Sequence, residues 1–231
     1  MSTALVTGAS RGIGRATCVR LAADGYGIIA VARESAELRS LTAEIEAAGG
    51  RCRTIALDLR DPHAIATALD SIEVDLLVNN AGIGIIKPMM DLSPDEWQRM
   101  LDVNVNALFH VTRAVLPGML ARRSGHVCTV GSISGRSAFI GGSCYAATKA
   151  FVNAWAESLL LEVRELGVKV SVVTPGGVAT EFGGKTPTAA DDWKLKAEDV
   201  AEAVAFVAST PASVLVHRLE VRTLNSPPPR K

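Results

Sequence analysis

Short apolar runs alternate with longer stretches of helical spacing along nearly the whole chain, and no other feature restricts its fold as much. The runs are Ala4–Thr7, Gly27–Val31, Cys52–Leu57, Leu76–Asn79, His126–Val130, Val168–Thr174 and Val214–Val221. Most are apolar on both faces, as in a parallel sheet covered on each side by helices. Helical spacing lies between them, near Gly12–Ala23, Ser35–Ala48, Pro62–Ser71, Pro94–Ala121, Cys144–Leu166 and Ala197–Ser209. Ser93-Pro94-Asp95-Glu96 puts a cap, a first-turn proline and two acids where a helix should start. With no repeat and no long linker, this order predicts an α/β fold: one doubly wound (Rossmann) domain over residues 1–224, with a mostly parallel seven-stranded sheet. Residues 225–231, with three consecutive prolines, read as a flexible tail.

Composition narrows the function. The 231 residues suit one domain with a sizeable core, and 24 Lys and Arg balance 24 Asp and Glu. Zero formal charge argues against nucleic acid or an anionic membrane as partner. Cys18, Cys52, Cys128 and Cys144 are far apart, with no zinc spacing to a histidine, so no metal site is expected and the thiols read as reduced. No apolar run reaches about 18 residues and the first strand follows the N-terminus directly, so a soluble cytoplasmic protein is expected.

The first run leads into Thr7-Gly8-Ala9-Ser10-Arg11-Gly12-Ile13-Gly14 and then a helix. Glycines at such a turn let the backbone approach a pyrophosphate, and the helix N-terminus offers free N–H groups. The second run ends Ala30-Val31-Ala32-Arg33, where an NAD site would carry an acid for the ribose 2′-hydroxyl. Arg33 and Arg11 instead suit a 2′-phosphate, so NADP(H) is expected in preference to NAD(H). Gly183-Gly184-Lys185-Thr186 imitates the end of a P-loop, but no strand precedes it and Ala179 fills the earlier glycine position.

Tyr145 and Lys149 stand at i and i+4, on one helix face. A nearby ammonium favours the phenolate and draws a tyrosine from near pH ~10 toward the working range of a proton donor. These residues follow Thr7–Gly14, Asn79-Asn80-Ala81-Gly82, Asn104 and Ser132 in order, and precede Pro175-Gly176 and Thr180. From about Ser2 to Thr180 the chain resembles the short-chain dehydrogenase/reductase family in its compact form.

That resemblance implies roles. Tyr145 is the general acid or base, Lys149 lowers its pKa and holds the nicotinamide ribose, Ser132 bonds the substrate carbonyl, and Asn104 anchors a relay water. Gly8, Arg11 and Ile13 line the pyrophosphate, with Ser10, Gly12 and Gly14 of the same turn. Asp58, followed by Leu59, meets the adenine, and Asn80 touches the ribose and helps fix the sheet, with Ala81 and Gly82 beside it. Pro175, Gly176, Val178 and Thr180 frame the nicotinamide. Ser134 is the alternative to Ser132 as working hydroxyl, Asn106 neighbours Asn104 on another helix side, and Asn79 reads as structural. Cys144 points about 100° from Tyr145, and His63, His110, His126 and His217 read as structural or surface.

The implied activity interconverts a ketone or aldehyde and an alcohol, with a small carbonyl or alcohol as substrate. The alternatives are a 3-oxoacyl thioester reductase and, outside catalysis, an NADP-binding sensor or scaffold. The chain ends in Ser213–Leu224, where thioester reductases carry a Gly-rich strand near Asp-Gly-Gly, which weakens the first alternative. Candidate pocket residues are Ile83, Ile85, Arg136, Phe139, Ile140, Val178 and Phe182. The short polar segment between Thr180 and Ala197 suggests an open pocket. Apolar residues surround both Pro94–Ala121 and Cys144–Leu166, so a homodimer or homotetramer built on these two helices is expected.

Overall fold

The computed structural model describes residues 2–184 and 186–225. Seven strands form one sheet: β1 (Thr3–Thr7), β2 (Gly27–Ala32), β3 (Arg51–Ala56), β4 (Leu76–Asn79), β5 (Gly125–Val130), β6 (Val168–Pro175) and β7 (Arg218–Val221). Their order is β3-β2-β1-β4-β5-β6-β7, and every neighbouring pair is parallel. The helices are α1 (Gly12–Ala23), α2 (Ala36–Ala47), α3 (Pro62–Leu69), α4 (Pro94–Leu101), α5 (Ala107–Arg122), α6 (Ser143–Val163) and α7 (Ala197–Ala208).

Alternation along the strands divides the core. Leu5, Ile29, Val31, Leu77, Val127 and Val170 face α3, α5 and α6, whereas Ala4, Val6, Ile28, Ala30, Val78 and Cys128 face α1, α2 and α7. Both faces are covered, which accounts for runs without polar alternation. Helix starts follow their caps. Ser35 Oγ accepts from Leu38 N at 3.2 Å, Asp61 accepts from His63 N and Ala64 N ahead of Pro62, and Ser93 and Glu96 close a capping box.

Two expected elements differ. The single helix over Pro94–Ala121 is α4 and α5 joined by a π-helical turn at Asp102–Asn106. The wider turn brings Asn104 against the loop after β4, where its amide pairs with both backbone groups of Ile83. The last strand begins at Arg218 rather than Val214. Side chains of β6 take the carbonyls before it, with Lys169 Nζ on Thr210, Pro211 and Val214 and Ser171 Oγ on Val216. The proposed tail lies outside the described residues except for Asn225.

Candidate active site

The strand order reverses between β1 and β4, so a crevice opens at their carboxyl ends. Thr7 and Asn80 bind its two sides together. Thr7 Oγ1 accepts from Asn80 N and Ala81 N at 3.1 and 3.0 Å, and Asn80 Nδ2 donates to Thr7 O at 2.9 Å and to Gly8 O at 3.3 Å. Asn80 is thus committed to the floor of the crevice, and Asn79 Nδ2 is held by Thr112 Oγ1. Thr7, the first residue of the glycine motif, carries a role that the motif alone does not assign; its signal is a hydroxyl at the last position of the strand beside the reversal.

The glycine turn is shaped by close approach. Gly8 has φ +66°, and a Cβ on Gly14 would collide with Gly8 O and the Asn80 amide. α1, which starts in this turn, has neither a side-chain cap nor a first-turn acid, so its first N–H groups stay available to an anion. Ser10, Gly12 and Ile13 are half-buried in the turn, and Thr180 lies over Gly12. Arg33 is exposed at the end of β2, and among the described residues no hydrogen bond or ion pair engages it. Arg11 Nη1 lies 2.8 Å from Glu181 Oε2. The Arg60 guanidinium, hydrogen-bonded to Asp58, holds that carboxyl down to about 2, and Arg33 adds to the effect. Leu59 is buried in the core. An uncapped helix, a turn with no room for side chains and an unpaired arginine together fit a phosphorylated dinucleotide.

On the other side of the crevice, Ser132, at the end of β5, accepts from Ser134 N at 3.1 Å and lies beside the Tyr145 phenol. Burial pushes that phenol up, and the Ser132 hydroxyl opposes the rise. Lys149, one helical turn on, is buried with Nζ 3.0 Å from Val130 O, and burial draws it down to about 8. Asn104 Nδ2 donates to Thr148 Oγ1 at 3.0 Å, and that hydroxyl donates to Tyr145 O at 2.7 Å, so the π turn is tied to the tyrosine's own helix. Asn104 Oδ1 and Lys149 Nζ both lie within 3.6 Å of where a Cβ on Gly82 would stand. A cavity of about 10 Å³ between Asn104, Thr129 and Lys149 is near the lower limit for one water. Asn106 is exposed and bonded to Asp102.

Pro175 and Gly176 close β6, with Gly176 N donating to Val221 O, and Val178 bridges Leu195. In the segment after them Phe182, still part-exposed, packs on Gly84 and on the Tyr145 ring at 5.5 Å between centroids, so an aromatic side chain stands beside the tyrosine. Arg136 faces Glu220 on β7. Around the mouth Ile86, Met89, Met90, Phe139 and Ile140 are exposed, Ile140 to 95%. The four cysteines are free, and no group of His, Cys, Asp or Glu among the described residues could hold a metal ion. No described helix is long and apolar enough to cross a membrane.

A doubly wound parallel sheet with polar side chains gathered at its reversal defines a class of ligand-binding α/β proteins. Comparison with known proteins narrows it. The model of the short chain dehydrogenase family matches residues 2–191. An NADP-dependent 3-hydroxy acid dehydrogenase of Salmonella typhi is 36% identical, over 94% of this chain and 93% of its own. A 3-oxoacyl-acyl-carrier-protein reductase of Salmonella typhimurium is 35% identical, over 92% of this chain and 91% of its own. A solved serine dehydrogenase in its closed form, complexed with NADP+, superposes with a TM-score of 0.88 at 36% identity, covering 95% of this chain and 94% of its own. The chain belongs to the short-chain dehydrogenase/reductase family and is an oxidoreductase.

Proposed function

We propose that this protein interconverts a small ketone or aldehyde and the corresponding alcohol with NADP(H), through Ser132, Tyr145 and Lys149. The observation that carries the reading is the Ser132 hydroxyl beside a half-buried Tyr145 phenol, with the Lys149 ammonium buried one turn further along the same helix. When bound, the nicotinamide supplies or accepts the hydride. Tyr145 Oη then gives its proton to the carbonyl oxygen in reduction, or takes the alcohol proton in oxidation. Its raised pKa keeps it protonated at neutral pH, which suits the acid role. Ser132 Oγ hydrogen-bonds the same substrate oxygen and steadies the charge that grows there. Asn104 acts as a positioning residue, since its amide is spent on Ile83 and Thr148.

The cofactor preference rests on Arg33, unpaired at the end of β2, and on NADP in the names of similar proteins. A small hydroxy acid or its oxo counterpart is the first substrate class to try, as a 3-hydroxy acid dehydrogenase is 36% identical over 94% of the chain. The second reading, a 3-oxoacyl thioester reductase, is favoured by the exposed apolar rim at Met89, Met90 and Ile140, which would suit an acyl chain, and by the 35% relative.

Turnover of 3-hydroxy acids, small ketones and a 3-oxoacyl thioester, each with both nicotinamides, separates the two. Tyr145→Phe removes one hydroxyl and should lower turnover about 10²- to 10⁴-fold while leaving folding and NADPH binding intact. Near-native activity of this variant, or no turnover anywhere in the panel, would refute the reading.

A further inference from the structure

We infer that Glu181 sets the affinity for the phosphorylated dinucleotide by competing for Arg11. The inference rests on the proposed NADP(H) preference and adds to it a residue outside the expected cofactor set. Arg11 and Glu181 are 170 positions apart, and their ion pair joins the glycine turn to the segment that follows β6. Neighbours on both sides fix where the carboxylate falls. Thr180 sits against Gly12, and Phe182 is wedged between Gly84 and the Tyr145 ring. Both partners are more than half exposed, so the pair is weak and exchangeable rather than a permanent strut. A 2′-phosphate that recruits Arg11 must first take it from Glu181. Arg33 has no carboxylate in hydrogen-bond contact, since Asp58, which feels its charge, is bonded to Arg60 instead, so the two arginines contribute unequally. A dinucleotide without the 2′-phosphate has no need of Arg11 and should be indifferent to the carboxylate.

The test is a binding measurement, by quenching of tryptophan fluorescence or by calorimetry, with NADPH and NADH on wild type, Glu181→Gln, Arg11→Met and the double variant. Thermal melts check that each is folded. Glu181→Gln should tighten NADPH about fivefold, equivalent to about 1 kcal/mol, and leave NADH within about twofold. In the Arg11→Met background the same substitution should change NADPH binding by less than about twofold. Equal changes for both dinucleotides, no tightening of NADPH, or tightening that persists without Arg11 would each overturn the inference. Wild-type protein that binds NADPH no better than NADH would remove the cofactor reading itself and this inference with it. A wild-type preference unmoved by Glu181→Gln would overturn this inference alone.

Discussion

Lys149 should cost the fold stability for the sake of the site, and Lys149→Met should show it. The ammonium is buried, with Val130 O as its hydrogen-bond acceptor at 3.0 Å, and burial lowers its pKa from 10.5 to about 8. At about 1.4 kcal/mol per pH unit, that drop is a penalty of about 3 kcal/mol on the charged folded form. The hydrogen bond to Val130 O is lost with the ammonium and returns about 1 kcal/mol of the gain. Methionine has a similar length and no charge, so the net expectation at pH 7 is a stabilisation of about 2 kcal/mol. For a chain of this size that is a rise of about 4–8 °C in Tm. The sign follows from the proton count. Between pH 8 and 10.5 the unfolded lysine holds a proton that the folded one has released, so the wild-type penalty fades as pH rises through that window. The gap between variant and wild type, measured by urea unfolding, should therefore be widest below pH 8 and narrow toward pH 10.5. Taking the difference cancels the buried thiols, which titrate in both proteins. A variant less stable than wild type at pH 7, or a gap that ignores pH, would refute the reasoning.

Three further outcomes are expected. Arg33→Asp should shift the ratio of NADPH to NADH affinity toward NADH by about two orders of magnitude, because a charge-assisted contact becomes a repulsion; an unchanged ratio would show that Arg33 does not meet the phosphate. His126 is buried against Ser171 and burial depresses it to about 3, so the folded protein keeps it neutral while the unfolded chain protonates it near 6.5. The stability it contributes is therefore complete above about pH 6.5 and lost toward pH 3, by up to about 5 kcal/mol, and His126→Phe should flatten that acid limb of the urea-unfolding profile. Light scattering at micromolar concentration should give two or four times 24.2 kDa, because Phe109 on α5 and Leu161 on α6 are 44% and 68% exposed; a monomer would refute an assembly through those helices.

The layered sheet was legible because its cause is local: a central strand covered on both faces has to be largely apolar, as Ala4–Thr7, Gly27–Val31 and Leu76–Asn79 are, whereas the edge strands β3 and β7 alternate and stay part-exposed. The site was legible only as a set of residues, because spacing tells which side chains share a face and says nothing about how much water each one loses. Tyr145 illustrates the difference. One turn of helix separates it from Lys149, and from that spacing alone the ammonium should draw the phenol down. In the folded chain the phenol is raised by burial, the opposing group is Ser132 from just beyond β5, and the ammonium is turned to Val130 O. The π turn escaped for a related reason. Apolar residues on most sides of 94–121 mask the phase shift of one extra residue, and the groups that reward it, Ile83 and Thr148, come from elsewhere in the chain. The pairing of Arg11 with Glu181 has no local signature either, since it depends on where Phe182 finds room over Gly84. In each case the decisive partner arrives from a different strand end. A sheet that reverses its order at one point brings those ends together, and there a short segment such as 180–182 can touch both the cofactor turn and the proton donor.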